Sequence, residues 1–479
     1  MAISRITFGE WTPDQPGLTN GLRRAENVFP KLVGYGSFPT AVDYSAAASE
    51  NLNSVVAGKT TAGATSVFAG GSTKLFKLDA SDLSLDDVSK SGGYSTATDQ
   101  RWKFTQFGSV IIAANGQAKL QGYNLNSSTL FADLAADAPA ARYVTVVRDF
   151  VVSGWQTNYP NRVQWSALGN EADWTNSATT QADYQDIPDG GSIVGVTGGE
   201  FGLVFMDRAI HRMSYVGSPL VFQFDNISRN LGCYEPNSII QYGGTSFFLG
   251  DDGFYACDGQ NVIPIGSEKI NRFFFNNVEE SNLYKMSAAV DPINKLIIWA
   301  YASVNSSTPD SLLIYNYQTQ KWSSGTTSID RIASTSTPAV TLEGMDIYGN
   351  LDTIQTSFDS RLWLGGKLQL GGVDGAKIVT FTGTNATAYI ETGDIEIPGS
   401  TSSITMVKPI VDDGSGSVAL LSRRLLSEST IFGSQTAANA ENRVSVRGVG
   451  RYHRLQLTPT GSWTSAVGMD IDLSPLGTR

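Results

Sequence analysis

Phe247-Phe248-Leu249-Gly250-Asp251-Asp252-Gly253-Phe254-Tyr255-Ala256-Cys257-Asp258 decides the reading of this chain. An apolar, aromatic run meets a turn of Gly and Asp, residues that tolerate positive φ, and a second aromatic strand follows, so the stretch predicts a β-hairpin. The same pattern recurs along the chain. Val67-Phe68-Ala69 passes through Gly70-Gly71 to Leu75-Phe76-Lys77-Leu78, and Val110-Ile111-Ile112 passes through Asn115-Gly116 to Gly122-Tyr123-Asn124. Phe150-Val151-Val152 leads through Asn158-Tyr159-Pro160-Asn161 into Arg162-Val163-Gln164-Trp165, and Leu203-Val204-Phe205 through Asp207 to Ile210-His211-Arg212-Met213. Leu296-Ile297-Ile298-Trp299 reaches Leu312-Leu313-Ile314-Tyr315-Asn316 across a longer polar loop.

Successive copies start about 40 to 50 residues apart, the period of a four-stranded propeller blade. One blade cannot bury both of its faces, whereas radial packing covers them and leaves only short edges. The expectation is an all-β chain built on a β-propeller of about six blades. A further copy, Arg361-Leu362-Trp363-Leu364 through Ile378-Val379-Thr380-Phe381, is either a seventh blade or a ring closure with an N-terminal strand. Tyr315-Asn316-Tyr317 followed by Trp322 has the aromatic spacing of a kelch-type blade. Helical periodicity is sparse, with candidates only at Ala132 to Ala141 and near Glu268 to Asn277.

The ends differ from the middle. Residues 1–45 carry Pro13, Pro16, Pro30 and Pro39 and read as an extended N-terminal arm. Residues 46–384 hold the propeller. In residues 385–479 the strands grow more regular (Tyr389 to Ile397, Ser403 to Val411, Tyr452 to Pro459) around Gly414-Ser415-Gly416-Ser417, enough for a C-terminal β-sandwich-like domain.

Of the 479 residues, 41% are hydrophobic and 16% charged, 49 are Gly, and the net charge is −11, so the surface as a whole repels nucleic acid rather than gathering it. Cys233 and Cys257 are the only cysteines, a usage that suits synthesis in a reducing compartment, although their separation would let a disulfide span a hairpin. No secretory signal is expected in Met1 to Gly9. The densest apolar run, Leu296 to Ala302, is too short to span a membrane.

No catalytic, cofactor-binding or metal-ligating residue is assigned, and no cofactor is expected. Asp86-Asp87, Asp251-Asp252 and Asp412-Asp413 are turn chemistry before they are carboxylate dyads or metal ligands. His211 and His453, the only histidines, are too few for a multi-His zinc site. The glycine pairs at 70–71, 198–199, 243–244, 365–366 and 371–372 lack the context of a phosphate-binding loop. A propeller glycosidase would need paired acids, and a sialidase an arginine cluster with Ser-x-Asp-x-Gly-x-Thr-Trp repeats, which this chain does not have. Trp155, Trp165 and Trp174 fit a sugar cleft or a blade core equally well. The basic clusters Arg23-Arg24, Arg423-Arg424 and Arg443, Arg447, Arg451 and Arg454 are either solvated strand faces or docking sites for an acidic neighbour or DNA phosphates.

Two stretches carry a family resemblance. Gly21 to Gly36 contains Asn27-x-x-Pro30-x-x-x-Gly34-Tyr35, and Leu231-Gly232 leads through Pro236-Asn237-Ser238 and the opening hairpin to Pro264-Ile265-Gly266 and Ile270-Asn271. Both resemble the tail hub or nozzle proteins of short-tailed bacteriophages (podoviruses, tail tubular protein B-like). That resemblance implies a structural, non-enzymatic virion protein of the tail, assembled in the host cytoplasm. It would form a homo-oligomer, a hexamer, below the head–tail adaptor protein, enclose and gate the DNA exit channel, and support tail fibre or spike proteins. Double-stranded DNA would pass through transiently without sequence-specific binding. The competing reading is a receptor-glycan-binding or glycan-cleaving β-propeller of the tail.

Overall fold

The computed structural model describes residues 3–19, 21–340 and 361–477. Among them, seven four-stranded antiparallel units follow one another along the chain. Their first strands are Leu52–Lys59, Lys103–Phe107, Ala141–Val147, Ile193–Thr197, Ile240–Tyr242, Ser287–Asp291 and Arg331–Thr335, and the units are numbered 1 to 7 in that order. These first strands pack against one another in succession and sheet 7 returns to sheet 1. Between sheets 4 and 5 the Gln241 amide donates to the Gly198 carbonyl at 2.6 Å. The chain is therefore an all-β propeller, with its first strands around the axis.

The hairpins legible in the sequence are strands two and three of sheets 1 to 6. Gly202–Met206 and Leu296–Tyr301 are buried at every position, because a central blade strand is covered by neighbouring sheets on both faces. Aromatic side chains fill the gap between sheets 5 and 6. Phe254 lies 4.8 Å from Trp299 and 5.5 Å from Trp322, and Tyr315 lies 4.7 Å from Trp322. Both indole N–H groups are satisfied across the gap, Trp299 by the Ser238 carbonyl and Trp322 by the Ile265 carbonyl, each at 2.9 Å, so burying these rings orphans no donor.

The further copy at 361–381 is resolved as both of its alternatives. Sheet 7 runs Arg331–Thr335, Gln369–Asp374 and Lys377–Thr380, and its outermost strand is Val42–Asp43 from the N-terminal region, anchored by a 2.6 Å Lys377–Asp43 ion pair. Arg361–Leu364, expected as a strand, is a short helical turn. The helix expected at Ala132 to Ala141 is also absent. Ala132–Asp133 completes the edge of sheet 2, and the rest is a turn that delivers Pro139 to the start of sheet 3. Alanine's helical propensity loses to strand pairing in a segment too short to pay for helix nucleation. The helix expected near Glu268 to Asn277 is present as Asn271–Asn277.

Beyond residue 385, two facing sheets enclose a second layer of core. One contains Thr401–Asp412, Val444–Gly450 and Ser465–Gly477; the other contains Tyr389–Glu391, Ser415–Arg423 and Tyr452–Thr460. The N-terminal residues complete both. Ile3–Thr7 and the hairpin Val28–Pro30/Tyr35–Ser37 pair with Ser465–Gly477. Arg24–Glu26 lies between Lys321–Thr326 of sheet 6 and Tyr389–Glu391, which makes sheet 6 and half of the sandwich one nine-stranded sheet.

The stretch Asn27 to Tyr35 is the clasp of this junction. Asn27 sits at φ 56, a conformation Asn tolerates better than most residues. Its amide donates to Thr387 O at 2.9 Å, and its Oδ1 accepts from the Thr326 backbone N–H at 2.8 Å and the Thr326 hydroxyl at 3.2 Å. The Pro30 carbonyl accepts from Asn316 at 2.8 Å. Gly34, at φ 69, approaches the final strand so closely that a Cβ would collide with the Ala466 carbonyl oxygen. Tyr35 is buried and donates its hydroxyl to the Gly9 carbonyl at 3.0 Å. Asn27→Ala removes three bonds that join propeller and sandwich, and urea unfolding is expected to show a loss of about 2–4 kcal/mol; an unchanged midpoint and slope would contradict this role.

Candidate functional site

The acid pairs occupy strands and turns. Asp87 pairs with Lys74 at 2.9 Å, Asp252 accepts the Tyr255 hydroxyl at 2.7 Å, and Asp413 accepts the Thr464 hydroxyl at 2.9 Å. His211 is buried 3.4 Å from the Asn226 amide. His453 lies inside the sandwich between the hydroxyls of Ser402 (3.0 Å) and Ser422 (2.8 Å), one from each sheet, and burial pushes its pKa down. Cys233 and Cys257 are buried free thiols. Trp165 and Trp174 are blade core, whereas Trp155 sits at a register shift in sheet 3 with φ 57 and stacks under Arg142 at 3.6 Å.

The basic clusters divide between the interior and the surface. The side chain of Asp394, 1% exposed, accepts from Arg423 at 2.8 Å and from Arg454 at 2.9 and 3.0 Å, while Arg454 also reaches Glu391 at 3.2 Å. Burial opposes the charge on Asp394, but the two guanidinium groups outweigh it and hold the carboxyl below its usual range. Arg24 pairs with Glu26 at 2.8 Å and lies over the Tyr389 ring. Arg424, Arg443, Arg447 and Arg451 remain at the surface, with Arg443 3.1 Å from Glu441 and Arg451 3.6 Å from Glu396.

The site that the fold itself builds lies on the propeller axis, near the N-terminal ends of the first strands. Three adjoining cavities of about 170, 200 and 270 Å³ share Lys103 in their walls. Arg101, Lys103 and Arg142 line the first, with Asp99 and Glu235 as its acids; Arg101, Lys103 and Arg331 line the third. Turns before sheets 5 and 6 reach across the axis to hold them. Arg101 donates to the carbonyls of Tyr284 (2.8 Å) and Met286 (2.6 Å), and Lys103 to the Asn237 side chain at 3.1 Å. Asn237 in turn donates to Glu235 Oε1 through its backbone N–H (3.0 Å) and its amide (2.9 Å).

This assembly brings like charges together partly out of water. Burial, then the neighbouring Arg331, push Arg101 down from the ordinary arginine range. Burial, then Arg101, bring Lys103 down to about 8, with Glu235 and Cys233 acting weakly in the other direction. Burial raises the Glu235 carboxyl despite its hydrogen bonds. None of these residues stood out in the sequence. The available signal was a basic residue at or just before the first strand of a blade, at Arg101 and Lys103, Arg142 and Arg331, where repeat position rather than local motif gives meaning.

No family model and no curated protein matches the chain. Several solved structures are similar to it at low identity. An extracellular domain from B. thetaiotaomicron is 12% identical, with 78% of this chain and 44% of that one covered and a TM-score of 0.44; this chain thus spans less than half of that domain's length. The WD40 domain of Neurospora crassa Pan2 is 7% identical over 74% of this chain and 97% of that one, with a TM-score of 0.40. The computationally designed Ika8 protein is 8% identical, covering 72% and 100%, at 0.38.

Lys103 offers a direct check on the axial charges. Its folded pKa lies below the unfolded lysine value, so the folded state pays for the charge below about pH 8 and is relieved as pH climbs toward 10.5. In phosphate-free buffer at pH 7, Lys103→Met is expected to gain about 2 kcal/mol of stability after loss of its bond to Asn237, and the gain should shrink as pH rises from 8 to 10.5. Thermal melts showing destabilisation at pH 7 would contradict the arrangement.

Proposed function

We propose that this chain is a structural, non-enzymatic subunit of the tail nozzle or hub of a short-tailed bacteriophage. In this reading six copies form a ring below the head–tail adaptor, enclose and gate the DNA exit channel, and support tail fibres or spikes. The observation that carries it is the position of the family-like stretch: Asn27, Pro30, Gly34 and Tyr35 are the residues that clasp the propeller to the sandwich. Their spacing is thus tied to a particular two-part architecture, and a resemblance in that spacing is a resemblance in how the parts are joined.

The DNA path belongs between subunits. The described axial cavities reach only about 270 Å³, the scale of a small ligand, and a duplex cannot thread them. Contacts with neighbours would draw on the exposed apolar tip of the clasp hairpin, where Leu32 is 80% and Val33 58% exposed, and on the charged edge strand Val444–Gly450 with Arg447. An acidic chain lets DNA slide, because numerous Lys and Arg contacts would retain it by counterion release.

Particle imaging and mass measurement of the full chain, alone and mixed with the head–tail adaptor of the same phage, test the proposal. A six-fold ring with an open central bore is expected in the mixture. Isolated subunits in both samples would overturn it.

A further inference from the structure

We propose that the largest axial cavity is a binding site for a phosphate-class dianion, held by Arg101, Lys103 and Arg331. Its walls contain these three cations and no carboxylate, in a chain whose net charge is −11. The neighbouring acids are otherwise engaged. Glu235 lines the adjoining cavity and accepts two bonds from Asn237, while Asp330 accepts from the Gly375 backbone N–H at 3.0 Å. Three partly buried cations facing one space repel one another and lose hydration, a cost that Glu235 and Asp330 beside the cavity offset only in part, since burial still holds all three below their ordinary range.

The donors suit an oxyanion. Arg331 is positioned by one bond from its guanidinium to the Asp330 carbonyl at 2.7 Å, and its buried Nε has no hydrogen-bond partner among the described residues. Arg101 is fixed by two carbonyls, and Lys103 by Asn237, so the cations are held in place rather than free to swing into solvent. The Ser287 hydroxyl accepts from the Ile332 backbone N–H at 3.0 Å, which leaves its own proton to donate. Two guanidinium groups supply planar N–H donors and the ammonium a point charge, the combination that recognises phosphate oxygens. A dianion answers this charge better than a monoanion. The cavity, about 270 Å³, has room for the phosphoryl group and a small substituent. This site is separate from the ring-forming role proposed above and does not depend on it.

Titration calorimetry on the full chain in chloride at constant ionic strength tests the assignment, with inorganic phosphate as the probe and acetate and glycerol 3-phosphate as competitors. Phosphate is expected to saturate one site per chain, acetate at equal concentration to leave that binding unchanged, and Arg331→Gln to weaken it about tenfold or more. Competition by glycerol 3-phosphate would support a ligand that carries its phosphoryl group on a larger body, and its failure to compete would support free phosphate. Should Arg331→Gln fail to fold, Lys103→Met carries the same expectation, and Arg208→Gln, in the exposed turn between Gly202–Met206 and Ile210–Gly217 and outside the cavity walls, is the control that should bind as the unmodified chain does. Absence of saturable phosphate binding, equal competition by acetate, unaltered affinity in the folded cavity variants, or equal weakening in Arg208→Gln would each overturn the proposal.

Discussion

Arg24–Glu26 is the strand on which the rest of this structure depends. It pairs in parallel with the last strand of sheet 6 and antiparallel with Tyr389–Glu391, so one run of backbone hydrogen bonds continues from the propeller into the sandwich. Around it the cores also merge. Trp299 and Trp322 of sheet 6 belong to the same buried cluster as Ile390, Leu457 and Ile471 of the sandwich. A propeller ordinarily meets its neighbours across loops and loses little if they leave. Here the loss of one short strand would expose two sheet edges and part of a shared core, an expensive opening.

The same N-terminal region solves a second problem. The seven sheets of the described residues leave one seam in the ring, and Val42–Asp43 closes it by supplying the outermost strand of sheet 7. Chain order thus places both ends of the propeller in one sheet. On the way there, Ile3–Thr7 and the Val28–Pro30/Tyr35–Ser37 hairpin are laid onto the sandwich.

Central strands were legible in the sequence because they are dry on both faces and therefore continuously apolar, as in Leu296–Tyr301. Outer strands such as Asp183–Asp186 are largely exposed, carry acids, and look like loops until a neighbour pairs with them. This is why six hairpins could be read but their flanking strands could not, and why Val42–Asp43, two exposed residues, gave no hint of closing a sheet. The axial site was hidden for a related reason. Arg331 lies far along the chain from Arg101 and Lys103, and only radial packing of sheets 1, 2, 5, 6 and 7 brings their surroundings together. Arg423 and Arg454 posed the reverse difficulty, since they read as surface charge although Asp394 holds both within the sandwich.

The structure thus combines a stiff joint, made of continuous backbone pairing and aromatic packing, with a charged axis that the fold supports at a cost in stability. The joint is the more fundamental of the two, because both halves meet there. Native-state hydrogen exchange at the amides of Ala25 and Glu26, compared with those of Leu313 in sheet 6 and Leu457 in the sandwich, tests it most directly. If the nine-stranded sheet is one cooperative unit, all these amides exchange through the same opening, with equal free energies and equal denaturant dependence. Fast, denaturant-independent exchange at Ala25 and Glu26 while Leu313 and Leu457 stay protected would contradict the account.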